Sequence, residues 1–106
     1  MNKKEKHIIH LIKSKIQNKN PKAEVILFGS HARGEAHEDS DWDILILLNN
    51  LKVDRNTEME YRDELFDVEM EVGEAISTFI YSKEKWETLH NITPLYKNIK
   101  KEGIQL

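Results

Sequence analysis

Hydrophobic residues recur at helical spacing in the first part of the chain. From Lys3 to Asn18 they return every three or four positions while lysines fill the opposite face, which predicts an amphipathic helix. The apolar positions are Ile8, Ile9, Leu11, Ile12 and Ile16. Pro21 disfavours helical geometry in the residue before it, so we expect the helix to end ahead of this proline.

Two short apolar runs then predict strands with a polar loop between them. The first predicted strand covers Glu24–Phe28 and the second covers Asp41–Leu48. After its initial acids the second strand is apolar on both faces, a pattern that is typical of a strand covered on two sides. We therefore expect the second strand to lie in the centre of a sheet.

The remaining pattern alternates helices with one further strand. A polar connection, Leu51–Arg55, leads to Thr57 and Glu60, which have the spacing of a capping box. A helix with a broad apolar face follows and stops at Gly73. That face comprises Met59, Tyr61, Leu65, Phe66, Val68, Met70 and Val72.

A third strand is predicted over Ala75–Tyr81, where it would return to the sheet after a helical crossover. Ser82 can cap a short helix over Lys83–Leu89. Thr93 then precedes a proline at the first helical position, and this last helix is expected to stop at Gly103.

Composition indicates a folded protein with a charged surface. The chain has 106 residues, 39% hydrophobic and 33% charged, so we expect one domain over residues 1–106. No apolar run approaches a membrane span or a signal-peptide core, which favours a cytoplasmic protein without membrane binding. The sequence has no cysteine, which rules out disulfides and thiolate metal sites. A net charge of −3 argues against broad nucleic-acid binding.

Two acids at the start of the second predicted strand form a candidate metal site. Asp41 and Asp43 are two positions apart, and because successive strand residues point to opposite faces, both carboxylates emerge on one side. Their Cα atoms would be ~7 Å apart at the usual rise per residue. Two carboxylates at that separation can share a divalent cation, and oxygen donors favour a hard ion such as Mg²⁺ or Mn²⁺.

A glycine-serine step after the first predicted strand forms a candidate anion site. Gly29 permits a sharp turn and a close approach to a ligand, and the next residues can start a helical turn whose amides point outward. Ser30 adds a hydroxyl donor and Arg33 adds a positive charge. An anion-binding turn that faces a metal-binding pair suits a metal-bound polyphosphate.

Other motifs fit these residues less well. The acids of the loop resemble the start of an EF-hand, but Ile44 stands where glycine is needed and Asn50 where glutamate is needed. Gly29 and Gly34 have the spacing of a P-loop, but the lysine and hydroxyl residue that should follow are missing. The histidines are interpreted as solvated: His7 and His10 on the first helix, His31 and His37 in the loop region.

The two half-motifs together resemble a known signature. Gly29-Ser30-(x)2-Arg33-Gly34, followed by Ser40-Asp41-x-Asp43 before an apolar strand, is similar to that of the DNA polymerase beta-like nucleotidyltransferases, specifically the minimal nucleotidyltransferases. The closing segment 93–104 also resembles bacterial members of this family. The resemblance implies an α/β fold in which helices flank a small mixed sheet that contains the three predicted strands.

The resemblance also implies an activity, the transfer of a nucleoside monophosphate, most simply AMP from ATP, to an acceptor. Asp41 and Asp43 would bind Mg²⁺ or Mn²⁺, Gly29 and Ser30 would seat the phosphates, and Arg33 would stabilise them. Larger relatives use an additional helical domain to hold small acceptors. A chain this short lacks such a domain, so the expected acceptor is a protein or is held partly by another chain.

One part of the family pattern is not evident in this sequence. Relatives carry a third carboxylate, the base for the acceptor hydroxyl, on the strand after the crossover helix, and the run 75–81 contains no acid. Glu74, at the entrance to that strand, is therefore the predicted base. If the position is vacant instead, the expected function is an antitoxin-like module that binds a HEPN-type partner, with weak or lost catalysis. The sequence is also compatible with a homo-oligomer.

Overall fold

A four-stranded sheet organises the computed structural model, which describes residues 1–50 and 52–106. Its strands are β1 (Glu24–Phe28), β2 (Trp42–Leu48), β3 (Ile76–Ser82) and β4 (Ile104–Gln105). They lie in the order β3-β2-β1-β4, with β2 parallel to β3 and antiparallel to β1, and with β4 antiparallel to β1. The predicted mixed sheet and the central position of the second strand are confirmed.

Helices cover both faces of this sheet. They are α1 (Lys3–Lys19), α2 (Gly29–Arg33), α3 (Arg55–Val72), α4 (Lys83–Thr88) and α5 (Pro94–Glu102). Isoleucines of α1 and the buried side of α3 pack against the face of β2 that carries Trp42 and Ile44. Trp86 of α4 and Ile99 of α5 cover the opposite face, next to Leu45. Each fully buried aliphatic or aromatic side chain stabilises the fold by about 1.5–3 kcal/mol.

The N-terminal caps of α4 and α5 are the residues predicted from the sequence, but the cap of α3 is a different residue. Ser82 and Thr93 accept hydrogen bonds at the N-termini of α4 and α5, as predicted. The prediction of a capping box at Thr57 and Glu60 is wrong. The side chain of Asp54 caps α3 instead, accepting a hydrogen bond of 2.8 Å from the backbone N–H of Thr57. An aspartate at this end also complements the helix dipole, so the helix begins one turn earlier.

The connection before α3 is correspondingly shorter than predicted. Arg55, placed in a polar connection by the sequence pattern, is the first helical residue. Leu51, the other end of that predicted connection, lies outside the described residues.

The apolar face of α3 is narrower than its sequence predicts. Tyr61, Leu65 and Val68 are buried, but three other members of the predicted face are exposed. The exposed side chains are Met59 at 47%, Phe66 at 55% and Met70 at 70%. Only the stripe that faces α1 and the sheet finds a packing partner in the described chain.

The two-residue strand β4 is not predicted by the sequence pattern. Its residues pair with Ile26 and Leu27 of β1, which places the end of α5 beside the end of β1. A two-residue strand is too short to show an alternating pattern. In the described part of the chain, no helix combines the length and the apolar character that crossing a membrane requires.

Candidate functional site

The site forms where β1 ends, α2 begins and β2 starts. Phe28, the last residue of β1, pairs with Asp43 of β2, so the next residue, Gly29, lies directly beside the Asp43 side chain. Gly29 has a φ of +77°, and a Cβ atom at this position would overlap Oδ2 of Asp43. Glycine is therefore needed here for its backbone conformation and for the close approach of the carboxylate.

Asp41 and Asp43 lie on the same side of the chain, and their charges interact. Asp41 is exposed, whereas Asp43 is half-buried beneath the turn at Gly29. Burial and then the charge of Asp41 raise the pKa of Asp43 above its ordinary value. Two carboxylates that repel each other in this way are stabilised by a shared cation, and their oxygens fit Mg²⁺ or Mn²⁺.

The turn at α2 gathers a hydroxyl and a guanidinium beside the carboxylates. Ser30 is half-buried in the first turn of α2, and Arg33 ends the helix with a side chain that is 43% exposed. Arg33 donates to Glu35 at 3.2 Å through Nε and to Glu102 at 2.8 Å through Nη1. These bonds, the one to Glu35 first, raise the pKa of Arg33. The guanidinium is thus within electrostatic range of Asp43, but two other carboxylates, Glu35 and Glu102, already bind it.

His31 is not the solvated residue that the sequence predicts. It is only 6% exposed, and its ring stacks on the Trp42 indole with centroids 3.7 Å apart. Its Nε2 lies 3.3 Å from the carbonyl oxygen of Ser40. The short helix α2 turns this side chain inward, so that His31 connects the turn after β1 to Ser40, the residue that precedes Asp41. His37 is exposed, as predicted.

The Glu74 carboxylate contacts Trp42 and Lys4 rather than the two aspartates. Its carboxylate accepts a hydrogen bond of 3.0 Å from the Trp42 indole N–H and forms an ion pair of 3.1 Å with Lys4. The bond from Trp42 is the main reason that the pKa of Glu74 is lowered. Trp42 lies between Asp41 and Asp43 in the chain and therefore points to the opposite face of the sheet. Asp41 and Glu74 line one shallow pocket of about 230 Å³, but the Glu74 carboxylate is turned toward Trp42 and Lys4.

A hydroxyl lies beside the aspartates on β3, the strand where the family resemblance implies a third carboxylate. Ser77 of β3 pairs in register with Asp43 and donates a hydrogen bond of 3.0 Å to Asp41. In the described ranges, no three side chains among His, Cys, Asp and Glu are close enough to hold one metal ion. Sequence reasoning missed the contact to Ser77, because only the pairing register of β3 reveals it.

Glu102 is the second site residue that sequence reasoning missed. One oxygen of its carboxylate accepts a bond of 2.8 Å from the backbone N–H of Gly29 and another of 2.8 Å from Arg33. Glu102 is separated from Gly29 by 73 positions, so no local pattern indicates this contact. It depends on β4, which brings the end of α5 to the end of β1.

Comparisons with known proteins identify the family of this chain. Residues 9–105 match the model of the nucleotidyltransferase domain family. This chain is a member of that family, because the match spans almost its whole length. Among curated proteins, a sequence search finds no match.

Solved structures show the same fold at low sequence identity. One chain of a toxin-antitoxin crystallised with AMP-PNP has a TM-score of 0.66 and 21% identity, and the match covers 91% of this chain and 69% of that one. Two variants of the toxin-antitoxin MntA-HpeT have TM-scores of 0.61 and 0.59, with 23% and 21% identity. These matches cover 100% and 99% of this chain and 72% and 71% of the others.

Proposed function

We propose that this protein is a Mg²⁺-dependent nucleotidyltransferase that transfers AMP from ATP to an acceptor, with a protein as the acceptor. The observation that carries the proposal is the charge coupling of Asp41 and Asp43 beneath a glycine turn that accommodates no side chain. A half-buried carboxylate that is repelled by an exposed neighbour is costly without a cation, and a metal-bound triphosphate would supply that cation.

Each residue of the site has a defined role in this proposal. Asp41 and Asp43 hold Mg²⁺, which when bound offsets the negative charge of the triphosphate. Ser30 donates its hydroxyl to the phosphates, and Gly29 lets them approach the backbone. Arg33 supplies a positive charge at the exposed end of the site. Ser77 fixes Asp41 through their hydrogen bond and so orients one metal ligand.

The proposed reaction is a substitution at the α-phosphorus of ATP. An acceptor oxygen forms a bond to this phosphorus, the bond to the bridging oxygen breaks, and pyrophosphate leaves with the bonding electrons. The proton of the acceptor must pass to a base. Glu74 can serve as that base only if it leaves Lys4 and Trp42; otherwise the acceptor brings its own base.

Label transfer tests this function. Purified protein is incubated with ATP labelled at the α-phosphate, with Mg²⁺ and with an extract of cells that lack the protein. We expect a labelled protein band that disappears with EDTA and with the double variant Asp41→Ala/Asp43→Ala. An equally folded double variant that labels as strongly as the parent would contradict the site assignment.

A second candidate function is an antitoxin-like binding module for a HEPN-type protein, with catalysis weak or lost. It is favoured by the absence of an acid between Ala75 and Tyr81, the strand where the family resemblance implies a third carboxylate, and by structural neighbours that are themselves parts of toxin-antitoxin pairs. Co-expression with the product of the adjacent reading frame tests it. A stable complex that forms equally well with the double aspartate variant, together with no label transfer, would favour the module over the enzyme.

A further inference from the structure

The carboxylate of Glu102 lies inside the proposed phosphate-binding turn. Its Oε2 accepts hydrogen bonds from the backbone N–H of Gly29 and from Nη1 of Arg33, both at 2.8 Å, and the side chain is only 20% exposed. The negative charge of Glu102 also helps to raise the pKa of Asp43, so the carboxylate lies within electrostatic range of the metal-binding pair. An internal anion thus occupies donors that a phosphate would use.

The segment that delivers Glu102 is held firmly beside β1. The next residue, Gly103, packs so closely that a Cβ atom there would come within 2.6 Å of the Ile99 carbonyl oxygen and 2.9 Å of the Ile26 side chain. β4 pairs with β1, and the Leu106 N–H donates to the Val25 carbonyl at 2.8 Å. The backbone around Glu102 is therefore fixed, and only its side chain can move without disturbing the sheet.

We propose that Glu102 occupies part of the triphosphate site in the nucleotide-free protein and that ATP must displace it. The inference rests on the proposed nucleotide-binding function and adds a residue that limits nucleotide affinity. A carboxylate and a phosphate compete for the same N–H donors, and the two anions repel each other at short range. Glu102 satisfies the Gly29 amide and Arg33 while the site is empty, and it lowers the affinity of the site for polyphosphates.

Isothermal titration of the parent and Glu102→Gln with ATP·Mg²⁺ and with tripolyphosphate tests the displacement. The variant keeps the size of the side chain but removes its charge, so we expect both ligands to bind roughly threefold to tenfold more tightly, as for a partly exposed charge contact. Weaker or unchanged binding by a folded variant would overturn the inference, because the carboxylate would then position the turn or leave the donors free.

Two matched variants separate displacement from a general loss of negative charge. Glu35→Gln removes the other carboxylate that binds Arg33 but leaves Gly29 untouched, so a smaller gain in affinity is expected. Glu87→Gln removes an acid whose carboxylate contacts Tyr96 and Lys100, so no gain is expected. A gain with Glu87→Gln as large as with Glu102→Gln would refute a specific role for Glu102.

Carbon-detected NMR of the parent gives a measurement that needs no variant. If ATP·Mg²⁺ or tripolyphosphate displaces Glu102, the resonance of its side-chain carboxyl carbon should shift towards that of a solvent-exposed glutamate in the saturated protein, while the amides of residues 104–106 stay paired with β1. An unchanged Glu102 carboxyl resonance in the saturated protein would overturn the inference. If nucleotide binds with the expected shift but no label is transferred to any acceptor, the proposed enzymatic function fails and the displacement stands.

Discussion

Asp43 has the most restrictive surroundings of the candidate site residues, both in space and in charge. Its neighbours are the Gly29 turn above it and the charge of Asp41 beside it, and burial followed by this charge raises its pKa. A carboxyl with a raised pKa in the folded state stabilises the protein fully below its unfolded pKa, and this stability is lost as the pH rises through the folded pKa. Once ionised, Asp43 therefore destabilises the metal-free protein relative to its protonated form.

Asp43→Asn should accordingly melt at a higher temperature than the parent at pH 7 in EDTA. The amide keeps the shape of the side chain without its charge, so the difference should shrink as the pH is lowered towards 4. Millimolar Mg²⁺ should stabilise the parent and leave the variant unchanged. Thermal unfolding followed by circular dichroism measures these shifts, and a pH-independent difference would argue against the electrostatic explanation.

Gly29 and Ser30 should differ sharply in their sensitivity to substitution. Ser30→Ala removes one hydrogen bond to a charged ligand and should weaken ATP·Mg²⁺ binding by about 1–3 kcal/mol. Gly29→Val places a branched side chain at positive φ against Asp43 and should abolish measurable binding. Calorimetry on variants with native circular dichroism spectra measures both effects, and equal, negligible losses would remove the case for this turn as a phosphate site.

Glu74→Gln distinguishes a base from a structural residue. The glutamine can still accept from the Trp42 indole and loses only the charge that pairs with Lys4, so nucleotide binding and transfer should both stay close to those of the parent. Transfer rates with a labelled acceptor measure this outcome. A fall on the order of 10² to 10⁴ with binding intact would instead identify Glu74 as a general base that leaves Lys4 and Trp42 during turnover.

At the level of elements, the sequence predicted the parts whose signal is local. The strands β1, β2 and β3 follow from short apolar runs, and the helix ends at Gly73 and Gly103 follow from their glycines. Two features could not be predicted, for different reasons. β4 is only two residues long, which is too short to show a pattern. His31 is buried because its ring stacks on Trp42, a contact that no local pattern contains. The candidate turn and the two aspartates could be predicted because their spacing is local, whereas Glu102 contacts Gly29 across 73 positions of the chain.

The start of α3 allows a test of which residue, Asp54 or Thr57, caps the helix. Asp54 accepts from the Thr57 N–H and its pKa is lowered by this bond, so its stabilising effect is present above its unfolded pKa and is lost as the pH falls through the folded pKa. Asp54→Ala should lower the melting temperature by roughly a few degrees at pH 7. Thr57→Ala, inside the helix, should change it little; the opposite order would restore Thr57 as the cap.

For the whole molecule, the candidate site brings together residues that are far apart in the chain. The turn and the aspartates come from its first half, whereas Glu102 reaches them from the end of α5 and Ser77 reaches them from β3. A ligand that binds at this junction contacts groups that come together only in the folded chain. Binding should therefore stabilise the entire fold rather than one segment, because the unfolded chain offers no equivalent site.

Thermal unfolding with nucleotide checks this global effect. ATP·Mg²⁺ at a hundred times its dissociation constant should raise the free energy of unfolding by about 2.7 kcal/mol, which for a chain of this size corresponds to a shift on the order of 10 °C. ATP without metal should shift the parent much less, since Asp41 and Asp43 then repel the triphosphate. The double variant Asp41→Ala/Asp43→Ala removes both the metal ligands and the repulsion, so its shift should no longer depend on Mg²⁺. A shift in the double variant that equals the parent's and still requires Mg²⁺ would place the metal-bound nucleotide elsewhere on the protein.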